Sequence, residues 1–113
     1  MLLVKNFKKE KIMTIELKNL RKEKPKIDLI TDIKVDRSSY LGNPFKKGSR
    51  DEICDQYESY LVKQMSLSQN DFNYEMDRLM TLYKRLGKLT LFCWCVPLRC
   101  HSESIKNYIL SNT

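Results

Sequence analysis

At 113 residues the chain has room for one domain and one sizeable core. Its residues are 42% apolar and 31% charged, with three Gly and three Pro, which excludes disordered, low-complexity and collagen-like chains. The formal charge of +7 sits in the first half: residues 1–47 hold 13 Lys and Arg against 6 Asp and Glu, whereas residues 48–113 hold 8 of each.

Taken in order, residues 1–12 are basic and show no period, and they read as a possibly disordered extension before a single domain over 13–113, with Met13 an alternative start. Met1–Lys5 has no extended apolar core, so no secretory signal is read there. Residues 13–20 alternate apolar and polar side chains, which predicts a half-buried strand. After the break at Lys24-Pro25-Lys26, Leu29 to Val35 offers a second strand. The segment Ser38 to Phe45 is too rich in turn formers for regular structure. Ser49-Arg50-Asp51-Glu52 fits a capping box, and Ile53, Tyr57, Tyr60 and Leu61 recur at helical spacing, predicting a helix over about 50–65. Ser68 or Asn70 caps a second helix with the stripe Phe72, Met76, Leu79, Met80, Tyr83 and Leu86, stopped by Gly87. Lys88 to Cys93 reads as a strand central in the sheet. Ser102 to Leu110 closes the chain as a short helix with Ile105, Tyr108 and Ile109 inward. The fold class is mixed α/β, a small three-stranded sheet with about three helices in the order ββααβα. The longest apolar stretch, Leu89 to Leu98, is far too short to span a bilayer, so no membrane partner is expected and a soluble cytoplasmic protein is the expectation.

Three of the four cysteines crowd into Leu91-Phe92-Cys93-Trp94-Cys95-Val96-Pro97-Leu98-Arg99-Cys100-His101; Cys54 lies apart, inside the first helix, and reads as core. On a strand end, Cys93 and Cys95 point to one face and Trp94 to the other. Cys100-His101 sits at the turn into the last helix, whose N-terminus favours a thiolate. Three sulfurs and one imidazole within nine residues match a tetrahedral zinc site in ligand type, so Cys93, Cys95, Cys100 and His101 are the candidate metal ligands and Zn²⁺ the candidate cofactor. Two other readings stand beside it. The cysteines serve as small buried hydrophobes, or Cys100 is a redox or nucleophilic thiolate with His101 as base.

The loop Leu41-Gly42-Asn43-Pro44-Phe45 also carries chemistry. Gly42 allows close backbone approach or a positive φ, Asn43 brings an amide, and Pro44 stiffens the turn. With Asp36, Arg37, Ser38 and Ser39 just before it, this loop has donors for an anionic or nucleobase-like ligand, making Arg37, Ser38, Gly42, Asn43, Pro44 and Phe45 candidate ligand contacts. The same residues also make a tight turn, with Asn43 satisfying local backbone groups and Phe45 plugging the core.

The G-N-P-F block, Ser49 to Glu52 leading to Tyr57 and Tyr60-Leu61, Gly87-Lys88-Leu89, and the C-W-C-x-P-x-x-C-H block of Cys93 to His101 together resemble domain of unknown function 4326. The resemblance runs from about Ile15 to Leu110. It implies a small domain of phages and bacteria, with the fold and candidate site fixed more closely than the activity. Members often have Gly where this chain has Ser102, and a more Arg-rich segment where this chain has Arg37 followed by Ser38-Ser39-Tyr40.

Two functional classes follow. The first is a zinc-stabilised module binding nucleic acid or a nucleotide, through lysines such as Lys8, Lys9, Lys11, Lys22 and Lys24, although a Lys-rich solvated surface accounts for the same charge. The alternative is a small enzyme acting on a nucleotide or nucleobase through the Cys/His cluster. The zinc-deaminase pattern is missing because His101 is the only histidine, and glycines at 42, 48 and 87 alone make neither a P-loop nor a dinucleotide fingerprint.

Overall fold

The computed structural model describes residues 13–67 and 69–112; the basic extension of residues 1–12 and the possible cap Ser68 lie outside them. The elements run β1 (Thr14–Asn19), β2 (Asp32–Lys34), α1 (Arg50–Ser66), α2 (Asp71–Leu86), β3 (Lys88–Cys93) and α3 (His101–Ser111). This is the mixed α/β order ββααβα expected from the sequence.

The sheet order is β1-β3-β2, and both edge strands run parallel to β3. Every residue of β3 after Lys88 is buried, in keeping with its central place in the sheet. The register sets Ile15 beside Leu89, and both Leu17 and Ile33 beside Leu91. Since side chains alternate across the pleat, these residues and Cys93 share one face. That face meets Leu61, Met76, Leu79, Ile105 and Ile109 of the three helices in one cluster. The opposite face carries Thr90 and Phe92, with Lys34 in register beside Phe92. Among the described residues the three helices thus pack on one side of the sheet.

The helix boundaries follow local chemistry. The Ser49 hydroxyl accepts from the Glu52 amide at 3.2 Å, while the Glu52 carboxylate accepts from the Ser49 amide at 2.8 Å, completing the capping box. Asn70 caps α2 through the Asn73 amide, and Gly87 ends it in the left-handed region at φ 70°. Of the expected α2 stripe, Phe72, Met76, Leu79 and Tyr83 are buried, Met80 is half-buried, and Leu86 is exposed beside the helix end.

The second strand is shorter than the sequence pattern suggests. Leu29 and Ile30 are exposed, because the Leu29 amide bonds the Lys26 carbonyl and the Asp32 amide bonds the Leu29 carbonyl, turning the chain before β2 begins. The Asp32 carboxylate fixes that turn by accepting from the Lys26 amide at 3.0 Å. Apolar character alone does not distinguish a strand from this turn.

Tyr57 joins the helix layer to the loop after β2. It is fully buried and donates from its hydroxyl to the Leu41 carbonyl at 2.7 Å. Its ring also meets the His101 imidazole edge-on, with centroids 4.9 Å apart. Tyr57→Phe leaves the Leu41 carbonyl without this donor in the interior, and a loss of about 1–3 kcal/mol is expected. Urea unfolding measures it; an unchanged midpoint would show that the bond carries no net stability.

Candidate functional site

Parallel pairing sends all three strands toward one edge of the sheet, the edge where ligands enter open α/β sheets. The loop between β2 and α1 and the loop between β3 and α3 both leave from it. The two sequence blocks therefore meet. Asn43, Gly48, Arg50, Ile53 and Cys54 from the first side, and Cys95, Arg99 and Cys100 from the second, line a pocket of about 280 Å³.

The G-N-P-F loop is held from beneath. A Cβ on Gly42 would lie 2.5 Å from the Asp36 carbonyl oxygen and 2.6 Å from the Arg37 Cα, so glycine is needed for close approach. Asn43 is buried and accepts from the Phe45 amide at 2.9 Å. Arg37 donates to the Asn43 carbonyl at 2.6 Å and the Phe45 carbonyl at 3.0 Å. Ser38 donates from both its amide and its hydroxyl to the Asp36 carboxylate, at 3.1 and 2.5 Å. Phe45 packs edge-on against Tyr60. Of the six loop candidates, Asn43 reaches the pocket wall, whereas the contacts of Arg37, Ser38 and Gly42 go into the loop itself, Phe45 packs on α1, and Pro44 is exposed.

The cysteine block divides at the end of β3. Cys93 and Cys100 are buried with their sulfurs 3.0 Å apart, and the Ser102 hydroxyl lies 3.6 Å from the Cys93 sulfur. Cys100 occupies the N-cap of α3 with extended backbone, φ −146° and ψ 153°. That conformation lets the adjacent Cys100 and His101 both point inward, which a continuous helix would prevent. His101 Nε2 lies 2.5 Å from the Val35 carbonyl oxygen. Since a carbonyl only accepts, Nε2 carries the proton. Nδ1 is then the lone-pair nitrogen, 3.5 Å from the Cys100 sulfur. Cys95 is half-buried and shares the pocket wall with Cys100.

These surroundings set the ionisation. The hydrogen bond with Cys93 and the Ser102 groups at the start of α3 hold the Cys100 thiol below its ordinary range, against the opposing effect of burial. The same contact pushes the Cys93 thiol up, and burial adds to it. Burial also lowers His101, favouring the neutral imidazole. Cys54, read as core from its place on the first helix, is buried and raised by that burial, yet it also contributes to the pocket wall.

Two thiolates on one tetrahedral zinc sit about 3.8 Å apart when each metal–sulfur bond is about 2.3 Å. The Cys93–Cys100 separation is shorter than that. Among the described residues, no group of three or more His, Cys, Asp or Glu side chains has an arrangement that would hold a metal ion.

Three participants were not singled out from the sequence. Arg99 bonds Asp51 at 3.0 Å and Asp55 at 2.7 Å, locking the second loop to α1. Arg50 donates to the Arg99 carbonyl at 3.3 Å and also lines the pocket. The pair Asp51 and Asp55, spaced i,i+4 on one helix face, was the available signal for an arginine partner. Asp36 is the third. It is buried, and its carboxylate accepts from Ser38 and, at 2.9 Å, from Trp94 Nε1. Burial acts to raise the Asp36 carboxyl, but the bonds from Ser38 and Trp94 and the Lys34 charge outweigh it and hold it below the usual range. Its stabilisation is therefore present above the ordinary carboxylate pKa and lost as pH falls through the lower folded value. Fluorescence of Trp94, the single tryptophan of the chain, should step on the acid side of about pH 4. Asp36→Asn should abolish that step; its persistence would assign the change to another group.

No curated protein and no solved structure matches this chain. A family model matches residues 18–111, a span that contains both the G-N-P-F and the C-W-C-x-P-x-x-C-H blocks, and on that match the chain belongs to the family described as Domain of unknown function (DUF4326).

Proposed function

We propose that the protein is a small module that binds a nucleotide or the phosphate-bearing end of a nucleic acid in the pocket between its two sequence blocks. The observation that carries this reading is the convergence of Arg50 and Arg99 with the starts of α1 and α3 on one pocket. Helix N-termini present unpaired amides and a partial positive charge, and guanidinium groups supply forked donors to phosphate oxygens. Asn43 adds a polar wall, and Ile53 supplies an apolar one. Arg50 is the side chain to test, because Arg99 is already committed to Asp51 and Asp55. Calorimetric titration with nucleoside monophosphates should show saturable binding, and Arg50→Ala should weaken it about tenfold or more, the worth of one charge-assisted contact. Absence of binding to every nucleotide, or an unchanged affinity in Arg50→Ala, would remove the reading.

A zinc ion held by Cys93, Cys95, Cys100 and His101 is the accompanying reading, favoured by the His101 tautomer. A ligating histidine commonly donates its second ring N–H to a backbone carbonyl, as His101 does to Val35, leaving the other nitrogen for metal. Zinc would tie the end of β3 to the start of α3 and add to folding stability. The metal-free alternative is enzymatic. There Cys100, a residue of the pocket wall whose thiol is held below the usual range, is the candidate nucleophile toward a bound nucleotide or nucleobase. Metal analysis with a free-thiol count on untagged protein separates the two. About one zinc per chain, released together with thermal stability in Cys95→Ser, is the expected result. Four titrating thiols without metal would leave the enzymatic alternative.

A further inference from the structure

A second surface lies at the same edge of the sheet, on the face that Lys34 and Phe92 share. Leu20, Lys24, Pro25, Lys34 and Trp94 line a groove of about 430 Å³ there. Trp94 is 51% exposed, which leaves a large apolar ring in water. Its orientation reverses the usual compromise, in which a tryptophan buries its rings and turns the N–H outward. Here Nε1 is taken up by the buried Asp36 carboxylate at 2.9 Å. The backbone is fixed as well, because the Asn19 side-chain amide donates to the carbonyls of Trp94 at 3.2 Å and Val96 at 2.5 Å. The indole is thus clamped at its polar edge and along its backbone while half of its surface stays open.

The Asp36 carboxylate bonds the indole N–H, while the charge lining the groove itself is positive. Both charged residues lining the groove are lysines. Among the described residues no carboxylate pairs with Lys24, and Lys34 is half-exposed, with its ammonium 3.9 Å from Asp36. The segment after β1 adds Arg21, Lys22 and Lys26 against Glu23 and Asp28.

We propose that this groove is a platform for single-stranded nucleic acid, one unpaired base stacking on Trp94 and the adjoining phosphates meeting Lys24 and Lys34. A pre-fixed aromatic plane flanked by cations suits an unpaired base, because every base offers a π-face and the phosphate spacing supplies the charge. A duplex keeps its bases stacked on each other and cannot use the plane. An acidic polypeptide has the charge and lacks the flat partner. The platform stands apart from the pocket that carries the nucleotide reading, so either can fail alone.

The test uses the full chain, whose single tryptophan is the reporter. Titration with an oligothymidylate of about ten nucleotides at low salt should quench Trp94 and saturate. With a dye-labelled oligonucleotide, Trp94→Ala should weaken binding roughly five- to a hundredfold, and Trp94→Phe should recover part of the loss. The double variant Lys24→Ala, Lys34→Ala should flatten the dependence of log affinity on log salt by about 1.4, near 0.7 for each phosphate no longer neutralised. If Trp94→Ala does not fold by circular dichroism, the phenylalanine and lysine variants decide. Absence of quenching would overturn the proposal, as would equal affinity for a duplex or for polyglutamate of matched charge, or an unchanged salt slope in the lysine variant.

Discussion

Parallel pairing on both sides of β3 is the constraint from which the remaining arrangement follows. A strand with partners at both edges lies at the centre of the sheet, and β3 is apolar or small from Leu89 to Cys93, all of them buried. Parallel neighbours also require that each strand end at the same edge. The loop carrying Gly42 and Asn43 and the loop carrying Cys95 and Cys100 are therefore brought together although about fifty residues separate them in the chain. The intervening α1 and α2 serve this geometry by returning the chain to the start of β3, and they fill the core against Leu89 and Leu91 on the way.

At that edge, buried polar groups do the positioning. Asp36 is the clearest case, since one carboxylate holds the Ser38 amide and hydroxyl in its own loop and the Trp94 indole from the other. Tyr57 makes a comparable bridge from α1, reaching Leu41 by its hydroxyl and His101 by its ring. Arg99 completes the tie with its two carboxylates on α1. The loops lack regular structure yet each is anchored through side chains. Such anchoring suits a site that must be formed before its ligand arrives.

Much of this was legible in the sequence because it depends on local signals. Ser49 with Glu52, Asn70, and Gly87 marked helix ends through hydrogen bonds made within a few residues. The alternation in Thr14–Asn19 and the largely apolar run of β3, interrupted only by Thr90, marked which strand is central. The length of β2 was not legible, because Leu29 and Ile30 look like strand residues while the Lys26 and Asp32 contacts turn the chain there. Within the site, residue types were readable and directions were not. Trp94 was expected to leave the cysteine face, and it does line a groove with Lys34, but nothing local says that its ring stays half open. Likewise the inward turn of both Cys100 and His101 depends on the extended backbone of the N-cap, a conformation set by the preceding loop. The roles of Asp36 and Arg99 were hidden because their partners lie 58 residues away in one case and 44 to 48 in the other.

The connection between β3 and α3 has a consequence for how this chain tolerates change in length. Seven residues, 94–100, lead from one element to the next. Within them Trp94 is tied to Asp36, the carbonyls of residues 94 and 96 to Asn19, Arg99 to two aspartates, and Cys100 to Cys93. No stretch of this loop longer than two residues is left without a tether. An inserted or deleted residue cannot be absorbed as slack, as it would be in an ordinary surface loop. It would displace the tryptophan groove or the cysteine pocket, so the spacing within this block is held as tightly as the identity of its residues.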